Sequence, residues 1–217
     1  MRMKLTRNRI IELTLICTLL SLYLTRHWFG VGGWRAVVLI LIFSVPIVYI
    51  KFSKRSLKEI YLAKNNLKES LFHGLIGSIV LIPVSAVILH HVLGDFYLTP
   101  ELKEFVWWFP LASFLGNLLT TGVCEEILFR GFLQMHLRNY FPNFWVVVVQ
   151  AIIFALLHPR YYTEGLYYIS FLVFMFGIVA GFITLRTENL SGPILMRGLV
   201  NTVGAMLFFV PPIAPSA

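Results

Sequence analysis

Residues Leu111–Arg130 read LASFLGNLLTTGVCEEILFR, fourteen uncharged residues followed by two carboxylates and a guanidinium within the next six. An apolar run of this kind is either the core helix of a soluble protein or a span in lipid, and the composition of the chain decides between them. Of 217 residues, 58% are hydrophobic and only 13% charged, with a mean hydropathy of +0.80. Soluble domains average about 25% charged residues. Half that content cannot cover a water-facing surface, which excludes a soluble globular enzyme, a disordered chain and a coiled coil. The two cysteines, Cys17 and Cys124, both lie in apolar stretches, so a disulfide scaffold is excluded as well. The solvent of this chain is lipid.

Six more apolar segments flank the quoted one. Together they run roughly 10–24, 34–50, 71–93, 105–130, 144–158, 165–185 and 192–210. A spanning helix needs about 20 mainly apolar residues, fewer where flanking side chains snorkel. The segments at 71–93, 105–130, 165–185 and 192–210 qualify outright. Those at 10–24, 34–50 and 144–158 lean on flanks such as Arg7, Trp28, Trp34, Lys51 and Trp145. Basic Met1–Arg9 ahead of the first segment has the look of a signal peptide. Leu22-Tyr23-Leu24-Thr25-Arg26 offers no small-residue cleavage site, however, so the segment is read as a helix. The fold expected is all-α: a polytopic integral membrane bundle of about seven transmembrane helices, six to eight, forming one domain over residues 1–217.

Charge sets the orientation. With the N-terminus in the cytoplasm, Arg26, Arg35, Lys103 and Arg160 face outward and Arg197 lies within the last segment. All the other Lys and Arg then face inward, as the positive-inside rule requires. The net charge of +8 thus meets anionic headgroups. No basic stripe is interleaved with exposed aromatics, so nucleic acid is not an expected partner. The chain's length and the lack of a transit peptide point to a bacterial or archaeal plasma membrane.

An ionisable group at mid-bilayer costs roughly 2.5–3.5 kcal/mol even on a lenient scale, so such groups inside spans are functional candidates. Glu12, His73, His90 and His91 lie near segment ends and read as interfacial. Glu125 and Glu126 do not. Arg130 is four residues beyond Glu126 and shares its helix face, acid before base, the favourable order. Glu125 is turned about 100° away. The arrangement suggests Glu126 held ionised by Arg130, and Glu125 pointing into a cavity as a general base. The competing reading ends the helix near Val123 and leaves all three charges at the cytoplasmic interface.

His158 closes the next segment, where a lone histidine is more often a capping or interfacial residue than a catalyst. Arg197 and Asn201 share one face near the middle of the last segment. Asn201 can be interhelical glue, but Arg197 calls for a buried acid, and Glu125 or Glu126 is the only good supply. Asn117 is a candidate supporting residue. Gly177 and Gly181, four apart, permit close helix packing inside the bundle.

Together, Glu-Glu-x-x-x-Arg (125–130), Phe-x-x-x-His (154–158) and a later Asn201 resemble the CPBP family. This is the CAAX-protease and bacteriocin-processing, or Abi, group of glutamic-type intramembrane proteases. The resemblance covers about residues 111–207, the expected catalytic core. It implies a protease that hydrolyses a peptide bond of a membrane-associated protein or peptide. It further implies that Glu125 and His158 activate a water, that Asn201 helps hold the oxyanion, and that Arg130 supports the glutamate pair.

One position departs from the family pattern. Where a histidine usually stands four residues before the final Asn, this chain has Arg197. A guanidinium is always protonated, so it neither ligates a metal nor acts as a base. It can stabilise an oxyanion by charge-assisted hydrogen bonds. The catalytic set expected is therefore Glu125, Glu126, His158, Arg197 and Asn201, with no metal and no cofactor. Zinc is the weaker alternative, because Glu-Glu with one His is a poor catalytic donor set. Other readings stay open: a pseudo-enzyme in which Arg197 merely neutralises the glutamates, a non-proteolytic immunity or tolerance protein, or a proton-coupled carrier. Cys124 as a nucleophile is disfavoured, since adjacent carboxylates would raise a thiol's pKa.

Overall fold

The computed structural model describes residues 7–25, 33–93 and 108–207, and every regular element among them is helical. In chain order these are α1 (Arg7–Thr25), α2 (Gly33–Phe52), a short 3-10 helix (Leu57–Ile60) and α3 (Leu67–Leu93). Next comes an unbroken run, 109–137, called α4 here; its pieces are Phe109–Asn117, Leu118–Gly122, Val123–Glu126, Ile127–Leu133 and Gln134–Leu137. Then follow α5 (Asn143–Leu156), the one-turn α6 (Pro159–Thr163), α7 (Tyr167–Thr187) and α8 (Ser191–Leu207).

Each of the seven apolar segments coincides with a helix, although 105–107 and 208–210 lie outside the described residues. Among the described residues, Asn8–Thr25, Leu67–His91 and Tyr167–Thr187 are long and apolar enough to cross a membrane; Val37–Phe52 and Asn143–Leu156 are shorter apolar helices. The outward face of α3 shows what the apolar excess is for. Phe72, Ile76, Ile79, Val80, Val84 and Val87 are all exposed, an arrangement that water penalises and lipid does not.

The fourth segment differs from the sequence reading at its C-terminal end. It does not stop near Val123 or at Arg130; it continues to Leu137, about 40 Å of helix at 1.5 Å per residue. Glu125, Glu126 and Arg130 are buried within it, so the alternative that ends the helix near Val123 is overturned. Arg130 also drops out of the inward-facing loop charges.

Glu12, read as a residue near a helix end, is 3% exposed. Its carboxylate receives Arg55 and lies 3.0 Å from the His136 ring, while the Tyr49 hydroxyl donates to it at 3.3 Å. An acid at that depth is tolerable only with such partners, and they tie α1 to the end of α4 and to the turn after α2.

Two close approaches fix the helices that carry the site. At the α3–α8 crossing, a Cβ on Gly192 would lie 2.1 Å from the Ser70 carbonyl oxygen, and one on Gly74 2.3 Å from that of Gly192. No side chain fits there, so backbone meets backbone. Ser70 Oγ uses the proximity, accepting from Gly192 N at 2.8 Å and donating to Asn189 O at 3.0 Å. At the α5–α7 crossing, Gly177 faces Ala151 and Gly181 faces Val147 and Gln150. The two glycines thus serve packing inside the bundle, as their spacing suggested.

Candidate active site

Two stretches of π-helix, Leu118–Gly122 and Ile127–Leu133, bracket the four residues that carry both glutamates. A π-turn inserts a residue into the ladder and re-aims the side chains beside it, and such bulges recur at functional sites. Nothing in the residue spacing announced them. Between them, two neighbouring carboxylates find two different cations.

Glu126 pairs along its own helix. Arg130 Nη1 donates to its Oε1 at 3.0 Å, and both side chains are wholly buried. Glu125 pairs across helices instead: its Oε2 receives Arg197 Nη2 from α8. Arg197 is thereby matched with the buried acid that its position called for. The expectation of a Glu125 carboxylate pointing unengaged into a cavity is not met, because the guanidinium holds one of its oxygens. Two acids and two bases make the interior neutral as a set, the condition for burying four charges at all.

Aromatic faces complete the cradle. The Arg130 guanidinium lies 4.3 Å from the Phe154 ring centre and 5.4 Å from that of Phe176. Arg197 sits 4.9 Å and 4.8 Å from the same two rings. Cation–π attraction strengthens when the cation is desolvated, so Phe154 and Phe176 are the surfaces on which both ion pairs rest. The Phe of the Phe-x-x-x-His motif is therefore a structural part of the site. The sequence reading gave Phe176 no role.

His158 stands on the same platform, its ring centre 4.8 Å from that of Phe154. Its Nδ1 is 2.8 Å from the Phe154 carbonyl oxygen, and its Nε2 is 3.2 Å from the Tyr23 hydroxyl of α1. One ring nitrogen thus meets a helix-end carbonyl, as the capping reading expected, and the other meets a residue of α1. Asn201 is one helical turn beyond Arg197, and its Nδ2 donates to Thr121 Oγ1 at 3.3 Å. Thr121 in turn is one turn before Glu125. The contacts thus form two rungs between α4 and α8: Glu125 with Arg197, then Thr121 with Asn201. Asn117 bonds only within its own helix, to Ser113 O at 2.9 Å and Ser113 Oγ at 3.2 Å.

The first rung and His158 lie deep in the fold: Glu125 is 1% exposed, Arg197 6% and His158 7%. Two cavities of about 290 and 220 Å³ lie elsewhere, one beside Tyr61 and Ile194, the other beside Arg9 and Glu12. Among the described residues, no group of three or more His, Cys, Asp and Glu is placed to hold a metal ion.

Residues 106–203, which contain both rungs and His158, match the family model described as type II CAAX prenyl endopeptidase Rce1-like. This segment is similar to the CAAX-protease family. The CAAX-protease match spans nearly half of the chain and names the same group as the motif resemblance. Neither the curated proteins nor the solved structures gave a match to the chain. The likeness of this segment to a hydrolase family and the apolar helices together point to an integral membrane protein. Tyr23 lies outside the matched segment.

Proposed function

We propose that the protein is an intramembrane endopeptidase that cleaves a peptide bond of a membrane-associated protein or peptide. The observation that carries this reading is the Glu125–Arg197 pair, set over Phe154 with His158 on the same ring. Glu125 takes a proton from water, aided by His158. The hydroxide attacks the substrate carbonyl, and Asn201 and the remaining N–H groups of Arg197 stabilise the oxyanion. Glu125 then returns its proton to the leaving amine. Glu126 and Arg130 keep the second charge neutral and the helix in register.

The reaction in this proposal uses no metal, since Arg197 offers no lone pair where the family usually has a histidine. In the same reading all seven long helices span, with the N-terminus cytoplasmic. The Glu125–Arg197 contact also supports a second reading, a non-proteolytic protein of the same family in which the arginine only neutralises the acid.

Purified protein in lipid, given a library of membrane-tethered peptides with and without a zinc chelator, separates the two. Cleavage that survives the chelator and is lost in Glu125→Gln is the result expected. Cleavage lost to the chelator overturns the metal-free mechanism, and no cleavage of any peptide favours the non-proteolytic reading.

A further inference from the structure

The chain has two glutamines, Gln134 and Gln150, and both are wholly buried. Glutamine is ordinarily a surface residue, so a pair of them inside apolar helices calls for a reason. They border the same glycine. Gln134 Nε2 of α4 donates to the Gly181 carbonyl of α7 at 3.3 Å. Gln150 Oε1 of α5 lies 3.2 Å from where a Cβ on Gly181 would stand. One turn earlier on α7, Arg130 Nη2 lies 3.6 Å from the same position on Gly177. On α4 itself, Glu126, Arg130 and Gln134 follow one another four residues apart. A polar seam therefore runs between α4, α5 and α7, from the Glu126–Arg130 pair to the two amides.

Six atoms of this seam have no hydrogen-bond partner among the described residues. Arg130 Nε, Arg130 Nη2 and Gln150 Nε2 are donors; Glu126 Oε2, Gln134 Oε1 and Gln150 Oε1 are acceptors. A single orphan of this kind is common in a native core. Three donors and three acceptors on four wholly buried side chains are not, because each forfeits the hydrogen bonds that water gave it. Hydrocarbon cannot replace those bonds. Water can, since one molecule both donates and accepts, and buried waters typically make about three bonds to such groups.

We propose that the seam is a built water site, whose ordered waters bridge Glu126 and Arg130 to Gln134 and Gln150, and that it stores the water that hydrolysis consumes. Every peptide bond cleaved takes up one water, and Glu125, to which the proton transfer is assigned, is 1% exposed. The seam begins at the chain neighbour of that residue. The Arg130 guanidinium at its head rests on the same Phe154 and Phe176 rings as Arg197. The same waters solvate the Glu126–Arg130 pair in the interior. Gln134 and Gln150 are positioning residues that act on water and not on the substrate. The water site stands on the buried amides themselves; its use as a store rests on the endopeptidase reading.

The test uses the full chain in lipid. Glutamine labelled with 15N at the side-chain nitrogen gives two signals, and water-edited solid-state spectra should show magnetisation passing from water to both, as it does to exposed amides. Two variants then separate polarity from packing. Gln150→Leu keeps the bulk of the side chain and removes the amide, whereas Gln150→Asn keeps the amide and gives up bulk. Gln150→Leu is expected to slow the transfer to Gln134, to lower the melting temperature, and to lower kcat on the membrane-tethered peptides about tenfold with KM unchanged. Gln150→Asn should keep most of kcat. In a dry seam the leucine would remove two orphaned atoms and raise the melting temperature, and neither amide would receive magnetisation from water; either result overturns the water site. Wet amides with a Gln150→Leu kcat equal to wild type, or with Gln150→Asn slower than Gln150→Leu, overturn the store and keep the water site. Wet amides in a wild type that cleaves none of the peptides overturn the store together with the endopeptidase reading.

Discussion

Glu125 and Glu126 are adjacent in the chain, and each pairs with an arginine, but the two pairs are built differently. Glu126–Arg130 closes within one helix, and both side chains are wholly buried. Glu126 Oε2 and Arg130 Nε and Nη2 have no hydrogen-bond partner among the described residues. Glu125–Arg197 bridges α4 and α8 and is followed one turn away by the Asn201–Thr121 bond. The first pair depends only on its own helix staying helical. The second depends on two helices keeping register. Motion of α8 against α4 would open the second and leave the first untouched, which is why chemistry is assigned to Glu125 and support to Glu126.

The sharpest way to break that contrast is to remove Arg130. Arg130→Met strands a buried carboxylate, and losing one partner of a buried pair costs about 3–5 kcal/mol. Thermal unfolding in lipid should show that loss, and Arg130→Met combined with Glu126→Gln should recover most of it. An Arg130→Met protein as stable as wild type would erase the distinction. Slightly smaller is the expected effect of Gly192→Ala. Its new Cβ would meet the Ser70 carbonyl at 2.1 Å, and overpacking costs typically about 1–3 kcal/mol, here at the upper end. Because α8 carries Arg197, turnover should fall together with stability.

Asn201→Ala probes the second rung alone. Losing one oxyanion donor lowers kcat by about a hundredfold, while the melting temperature should stay close to wild type, since the residue is only partly buried. Thr121→Val, which removes the partner of Asn201 but not Asn201 itself, should cost about tenfold in kcat. Reversal of these two magnitudes in steady-state kinetics would mean that Thr121, and not Asn201, is nearer the reacting atoms.

These contrasts were partly legible in the sequence. The seven apolar segments are visible because lipid demands long apolar runs, and each became a helix. Arg197 announced a buried acid because a guanidinium cannot sit unpaired in that setting. The choice of Glu125 over Glu126 was read from the spacing that puts Arg130 on the face of Glu126. The two π-stretches around Val123–Glu126 were not legible, having no composition of their own. The partners of Glu12 were silent for a related reason: Arg55 and His136 lie 43 and 124 residues away, and a helix-end acid gives no sign of them. Tyr23 was equally silent, being one aromatic among many in a lipid-facing chain, and only its contact with His158 sets it apart.

The central claim is that the cross-helix carboxylate does the chemistry and the same-helix one holds the fold. Turnover and melting temperature measured side by side for Glu125→Gln and Glu126→Gln test it most directly. The account predicts that Glu125→Gln melts closer to wild type than Glu126→Gln does and loses at least about a thousandfold in kcat, while Glu126→Gln loses stability first. A Glu125→Gln protein that still cleaves at the wild-type rate would contradict it.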